Sequence, residues 1–327
     1  DYENYTIEDF KTNGHMTYNF LAAENFSAKI EDSDFRSSGI IRNIFGFLLN
    51  DEILEGELNL ESNRLNLNPF MVSTTDIEAT NLEAADTTSY ELIVIPKNIN
   101  LELNAKAKEM IYDKIVLNNF VGSMLINNGQ VILDDCVTEA LEGSMVISGA
   151  YDTFEPKDPG FNFKFDLKNI NFSKAFNSLN TYQKLAPIGA YMNGSFNTSL
   201  VMDGKMGQDM MPVMDKLNAQ GFIHTIAGEI QEFQTLSAID EKLGLNIFNG
   251  IQLKDTKNWF EVKDGSIEVK DFDISYKDID LTIGGTHSLD QEINYKIHTK
   301  IPSSMYDSGI TGSAVDAGYA LINKQAG

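Results

Sequence analysis

The side chains of this sequence that could carry chemistry are four histidines, one cysteine and several closely spaced carboxylates. His15, His224, His287 and His298 lie far apart, none at metal-ligand spacing from another histidine or from the cysteine. Each reads as a hydrogen-bonded or exposed histidine. Asp32/Asp34, Asp271/Asp273 and Asp278/Asp280 are spaced i, i+2. In a strand that spacing puts both carboxylates on one face, as a glycosidase pair requires. It is also the pattern of a solvated strand face, which is the reading adopted here, and no EF-hand spacing surrounds any pair. Cys136 has no second cysteine to bridge and reads as a small buried apolar residue. No G-x-S-x-G, phosphate loop, dinucleotide glycine motif or H-E-x-x-H occurs. The expectation is a protein that is not an enzyme, with no cofactor and no metal site.

Met202, Met206, Met210, Met211 and Met214 form a local cluster. Thioethers favour Cu(I), and methionine repacks easily against lipid. Core filling around a short helix is the plainer reading.

The elements that would position these residues are strands. Phe161, Phe163, Phe165 and Leu167 alternate with polar residues, and so do Ile293, Tyr295, Ile297, Thr299 and Ile301. Leu58, Leu60, Leu65 and Leu67 do the same about an expected turn at Ser62-Asn63; Leu101/Leu103 and Ile279/Leu281/Ile283 complete the pattern. Each run makes one oily and one wet face, as in antiparallel sheet with a solvated side. Asn128-Gly129, Asn193-Gly194, Asp203-Gly204, Asn249-Gly250 and Asp264-Gly265 are expected turns.

The chain also repeats itself. The segment Asn128–Asp135 aligns with Asp264–Asp271, Met145–Gly149 with Leu281–Gly285, and Phe161, Phe163 and Phe165 with Ile293, Tyr295 and Ile297. Gly56–Leu60 is a weaker echo. Repeated hairpins that each expose an oily face must stack to bury or line something. Three helices are expected: one capped by Ser173 with Phe176, Leu179, Tyr182 and Leu185 on its apolar face and stopped by Pro187; one through Ile230, Phe233, Leu236 and Leu243; and a short one near Met211–Leu217.

The 327 residues suffice for about two domains. They divide into an N-terminal β region (1–72), an acidic Thr-rich linker or long loop (73–90), a main β region (91–302) and a C-terminal extension (303–327). The formal net charge of −23 is spread along the chain. That excludes nucleic acid, whose binding needs Lys and Arg to displace counterions, and electrostatic docking to an anionic membrane. No stretch approaches the ~18–20 apolar residues of a membrane span. With Asp1 first and no signal peptide, the sequence is expected to be a processed or partial product whose anchor lies elsewhere.

The segment Lys174–Ile188, the Gly194–Gly204 strand with Met210-Met211-Pro212 after it, the Val262–Ile301 stretch and Ser62–Met71 together resemble the C-terminal region of the AsmA-like family. The resemblance covers most of Glu55–Pro302. It extends to TamB-type and bridge-like lipid-transfer proteins, and its motifs are structural rather than catalytic. It implies a mainly β fold: a strongly bent, repeat-built antiparallel sheet, groove-like and open or partly closed, with a few short helices. It further implies a Gram-negative periplasmic protein tethered to the inner membrane by a segment outside this chain. Its groove would carry phospholipid or other acyl chains toward the outer membrane, with possible envelope protein partners. The family's N-terminal membrane helix is missing here.

Periodicity alone favours a dry core for Phe161, Phe163 and Phe165; the resemblance reverses that preference. On that basis Phe161, Phe163, Phe165, Ile267, Val269, Leu281, Ile283, Ile293, Tyr295 and Ile297 are the expected groove lining. The competing readings are a non-lipid scaffold for outer-membrane protein assembly and an extracellular β-rich binding protein.

Overall fold

The computed structural model describes residues 6–71, 92–208, 210–232, 250–276, 279–288 and 292–300, together with 234, 237 and 241. The expected linker at 73–90 and extension at 303–327 lie outside them. The chain runs through β1 (Ile7–Met16), β2 (Phe20–Ile30), β3 (Ser33–Arg42), β4 (Leu54–Asn66), β5 (Ile99–Tyr112), β6 (Ile115–Asn127), β7 (Gln130–Ala140) and β8 (Gly143–Asp152). It continues through β9 (Gly160–Asn171), β10 (Met192–Lys205), β11 (Asn218–Ile230), β12 (Ile251–Lys263), β13 (Ser266–Tyr276), β14 (Ile279–Ser288) and β15 (Ile293–Lys300). The helices are α1 (Ile44–Asn50), α2 (Asn68–Met71), α3 (Phe172–Ser178) and α4 (Asn180–Leu185), with 3₁₀ turns at Pro187–Tyr191 and Met214–Lys216. No described helix is long and apolar enough to cross a membrane.

The protein is mainly β. Its strands form a single 15-stranded sheet in sequence order, with β1 and β15 at its two edges and no closure into a barrel. The expectation of antiparallel pairing needs one correction, because β4 and β5 run parallel from Leu54↔Ile99 to Asn66↔Ile111. The long connection between them returns the chain to the same end of the sheet, which a hairpin cannot do.

The turn expected at Ser62-Asn63 is instead the interior of β4. Asp34, on neighbouring β3, accepts the backbone N–H groups of Asn63 and Arg64 at 2.8 Å each and the Asn63 amide at 2.9 Å, so the polar pair is held in extended chain. Asn193-Gly194 and Asp203-Gly204 likewise fall inside β10 rather than in turns. At Gly194 the backbone of β11 comes so close that a Cβ would lie 2.0 Å from the Ala227 carbonyl oxygen. Asn128-Gly129 and Asp264-Gly265 are turns as expected. All four residues have positive φ (46°, 81°, 50° and 71°), the signature of two-residue type I′ hairpins.

Several strands carry an Asp or Asn in the left-handed region away from any turn: Asn119 (φ 54°), Asp135 (φ 41°), Asn169 (φ 56°) and Asp255 (φ 54°). Around each, the inward face steps by three residues instead of two. Leu167 and Ile170 flank Asn169 and are both buried; Leu253 and Thr256 flank Asp255 and are both buried. Asn and Asp tolerate this conformation better than other side chains, and such irregularities bend a strand and raise its twist.

By its internal contacts the chain divides into two units. The first comprises Asp1–Ala140, Ser144–Lys164 and Asp203–Val213; the second comprises Leu141–Gly143, Phe165–Met202 and Met214–Gly327. In the first, Leu65, Ala107 and Met110 form a buried cluster with Phe35, Leu67, Leu117 and Phe120 against it. The Phe70 ring of α2 meets Phe35 edge-on at 6.2 Å. Asn68 and Asp113 exchange hydrogen bonds that pin α2 to the β5–β6 turn.

In the second unit the helix expected from Ser173 is two short helices. Its cap is Asn171, whose side chain accepts from the Lys174 N–H, and the chain breaks at Leu179, which adopts extended backbone. Ile230, expected in a second helix, ends β11, while Phe233, Leu236 and Leu243 lie outside the described residues. The third expected helix is reduced to the 3₁₀ turn at Met214–Lys216.

Candidate functional site

Strand register decides which side chains share a face. In the first unit one row runs directly across from β1 to β7: Gly14, Ala23, Gly39, Leu58, Leu103, Met124, Leu133. The parallel row on the same face passes through Met16, Leu21, Ile41, Gly56, Leu101, Ile126 and Val131. Leu58, Leu103, Met124 and Leu133 are only half-buried. The opposite face carries Glu57 beside Glu102 and Asn59 beside Asn104. A concavity of about 460 Å³ lies between β4 and β7, and its lining, which includes Asn104, Lys106, Ser123 and Asp134, places it on this wet face.

The second unit repeats the arrangement. Val262, Ile267, His287 and Ile293 face one another across β12 to β15, with Phe260, Val269, Gly285 and Tyr295 as the next row. Ile283 pairs with Ile297 and Leu281 with Thr299 on the same face. Seven of the ten expected lining residues (Ile267, Val269, Leu281, Ile283, Ile293, Tyr295 and Ile297) therefore share one surface. Their exposure is graded: Ile267 and Leu281 are buried, whereas Ile293 at the sheet edge is 41% exposed. Phe165 belongs to this unit and is half-buried. Phe161 and Phe163 belong to the first unit, their rings stacked at 6.0 Å, with Phe161 buried and Phe163 half-buried.

Part of the second unit's apolar face is covered by α3 and α4. Phe172 packs on Phe196 of β10 at 4.5 Å, and Tyr182 meets the same ring at 6.3 Å. At the far end, His287 Nε2 donates to the Leu185 carbonyl at 2.9 Å and Nδ1 accepts from the Tyr295 hydroxyl at 3.1 Å. A carbonyl only accepts, so the neutral ring must carry its proton on Nε2. Burial pushes the Tyr295 hydroxyl up to about 12, and it raises that of Tyr182 as well. The helical segment thus reaches across the face from β10 to β14. Sequence reasoning could not find this bridge, because no local pattern links Leu185 to His287.

Several of the acidic and histidine candidates are tied into the strands, while Asp278 lies outside the described residues. Asp32 accepts from the Arg64 guanidinium at 3.3 Å and from the Asn66 amide at 3.2 Å. Asp273 accepts from Thr282, and Asp280 from Ser275, at 2.6 Å each. His224 lies 2.6 Å from Asp255. Cys136 is buried, and that burial raises its thiol above the usual range. Met202 is a buried core residue, and Met206 bridges to Pro212. Among the described residues no group of three His, Cys, Asp or Glu side chains is placed to hold a metal ion.

Comparison with protein-family models, with curated proteins and with solved structures finds no match to this chain.

Proposed function

We propose that the protein binds acyl lipid along the apolar face of its sheet and passes it along that face within a Gram-negative periplasm, between inner and outer membrane. One observation carries this reading. The apolar row Leu58–Leu103–Met124–Leu133 is continuous across four strands yet stays half-buried. In a β-sandwich the inner row of one sheet is covered by the inner row of the other. Here the described strands belong to one sheet, and no second sheet supplies that cover.

A bent sheet would turn this face into a groove, and strand irregularities at Asn119 and Asp135 supply local bends in β6 and β7. Each methylene taken from water is worth ~0.8 kcal/mol, so a chain of about sixteen carbons could gain on the order of 10 kcal/mol before ordering costs. No headgroup site is required. The acidic wet face keeps the protein soluble while the oily face is occupied.

Photo-crosslinking in cells tests the reading. A photoreactive residue at Leu103, Phe163 or Ile297 should capture phospholipid, and one at Glu102, Lys164 or Lys296 should not. Absence of lipid at all three apolar positions ends the proposal.

The cover that α3 and α4 place over the second unit's face favours a second reading, a dry scaffold for outer-membrane assembly. Gentle purification followed by lipid extraction and mass spectrometry separates the two, since a scaffold would come away free of lipid.

A further inference from the structure

The two ends of the strands in the first unit differ sharply in chemistry. At one end, Arg64 reaches Asp32 and Glu109, and Asp34 gathers the Asn63 and Arg64 backbone, giving a charged, hydrogen-bonded rim. At the other end, where β1 and β3 finish and β2, β4 and β5 begin, sit the Thr17–Asn19 turn and α1. From Asn43 to Asn50 the sequence Asn-Ile-Phe-Gly-Phe-Leu-Leu-Asn contains no charge. None of the residues of α1 is buried. Leu48 is 67% and Leu49 74% exposed, and Tyr18, 76% exposed, stacks on Phe45 with centroids 5.6 Å apart and planes 11° from parallel.

This apolar tip is a built feature. Asn43, at φ 60°, donates from its side chain to Glu52 and to the Ile53 carbonyl, both at 3.0 Å, and from its backbone to the Asn19 carbonyl. Glu52 N–H closes the helix by donating to the Gly46 carbonyl at 3.1 Å. Asn98 donates to Asp51 at 2.7 Å, tying the base of the tip to the start of β5. The nearest charges are thus engaged at the base, and the uncharged side chains project beyond them.

We infer that this tip is a membrane-contact element that inserts Leu48, Leu49 and the Tyr18–Phe45 stack into the interfacial region of a zwitterionic bilayer with no net charge. Charge points to that occupant. A chain of net charge −23 is repelled by anionic lipid, and the cation adjoining the tip, Arg42, is paired with Glu57 at 3.6 Å. Tyrosine beside aliphatic residues suits a boundary that is apolar on one side and wet on the other. A protein partner fits poorly, because a stable interface covers about 800 Å² per partner with a polar rim, and this tip is a few projecting side chains. The row Met16–Leu21–Ile41–Gly56–Leu101 lies next to the tip, so the contact would open onto the apolar face. The inference does not depend on that face carrying lipid.

The test uses the full chain with vesicles of phosphatidylcholine. Wild-type protein should co-float with them, and adding phosphatidylglycerol should not strengthen the binding. Leu48→Asp with Leu49→Asp should weaken partitioning on the order of tenfold or more, the burial of two leucines being lost. Both positions are exposed, and a far-UV circular dichroism spectrum matching wild type checks that the variant folds. In a Trp259→Phe background, Leu49→Trp should show blue-shifted emission and quenching by brominated acyl chains. Unshifted emission, or unaltered flotation of the double variant, overturns the inference. So does vesicle-free self-association in sedimentation that the double variant abolishes, which would make the tip a contact between copies. Vesicle binding without lipid crosslinks at Leu103, Phe163 and Ile297 would defeat the groove reading alone, and crosslinks without vesicle binding would defeat this one alone.

Discussion

Gly285 and Tyr295 stand directly opposite one another in β14 and β15, with Gly285 at φ 154°, and a Cβ on the glycine would lie 2.6 Å from the tyrosine Cα. Gly149 and Phe163 reproduce the arrangement. Gly149 has φ 149°, and its Cβ would lie 2.7 Å from Phe163 Cα. The internal repeat aligns these four positions pairwise. In each copy the strand crosses its neighbour so closely that only glycine fits, and an aromatic residue lies beside the gap.

That closeness makes the glycines sensitive to a single methyl group. Gly285→Ala and Gly149→Ala place a Cβ 2.3 and 2.2 Å from a neighbouring carbonyl oxygen, which is backbone and cannot step aside. Each should lower stability by about 1–3 kcal/mol, read as a reduced urea midpoint. Gly160→Ala is the control: its Cβ meets the movable Asp152 carboxylate, and the cost should stay within about 0.5 kcal/mol. Equal midpoints for all three variants would refute the close-approach account.

Asp34 should behave as a structural acid. Burial pushes its carboxyl upward, but the backbone N–H groups of Arg64 and Asn63, the Asn63 amide and the charge of Arg36 together hold it below the ordinary range. A lowered folded value gives stability that is present above the unfolded value, about 3.9, and lost as pH falls through the folded value. Asp34→Asn should therefore cost about 1–2 kcal/mol at pH 7. The gap from wild type should narrow below about pH 4. Urea titrations at both pH values check it.

Part of the alkaline limb should trace to Tyr295, with the buried Tyr182 hydroxyl contributing beside it. Its folded value is raised to about 12, against about 10 unfolded. The stability held by the neutral phenol is complete below pH ~10 and lost as pH rises toward the folded value. Across that window the loss is on the order of 2 kcal/mol. Tyr295→Phe should flatten the decline of thermal midpoint above pH ~10, at the expense of the bond to His287 at lower pH. An unchanged alkaline slope would show that the hydroxyl is not the titrating group.

Much of this architecture was legible in the sequence because alternation is local. Ile293, Tyr295 and Ile297 announce one face by their spacing alone, and register confirms that they share it with Ile267, Val269 and Ile283. The Asn128-Gly129 and Asp264-Gly265 hairpins were legible for the same reason, whereas Asn193-Gly194 and Asp203-Gly204 look the same in sequence and lie inside β10. The parallel pairing of β4 with β5 was not, because it depends on where a long connection returns. The cover of α3 and α4 over β10 to β14 was hidden too, since it rests on contacts between Phe172 and Phe196 and between Leu185 and His287 that leave no periodic trace. The tip at α1 did leave a trace, the uncharged run Ile44–Leu49, but a short apolar run reads equally well as core. Only its exposure distinguishes it.

The Asp and Asn residues inside strands were the signal most easily misread. They look like wet-face positions, yet Asn169 marks the point where β9 changes phase so that Leu167 and Ile170 both face inward. If the left-handed backbone there is required, the side chain at 169 should matter through its Cβ more than through its polarity. Asn169→Gly should leave stability nearly unchanged, whereas Asn169→Val should cost about 1–2 kcal/mol, since branching at Cβ clashes with the following carbonyl. Asn169→Asp should fall close to wild type. The Asn169 backbone N–H donates to the Asn197 side chain at 2.8 Å and would persist in all three variants, so any difference reflects conformation rather than a lost hydrogen bond. Matching urea midpoints for the valine and glycine variants would mean that packing of Ile170 alone dictates the kink.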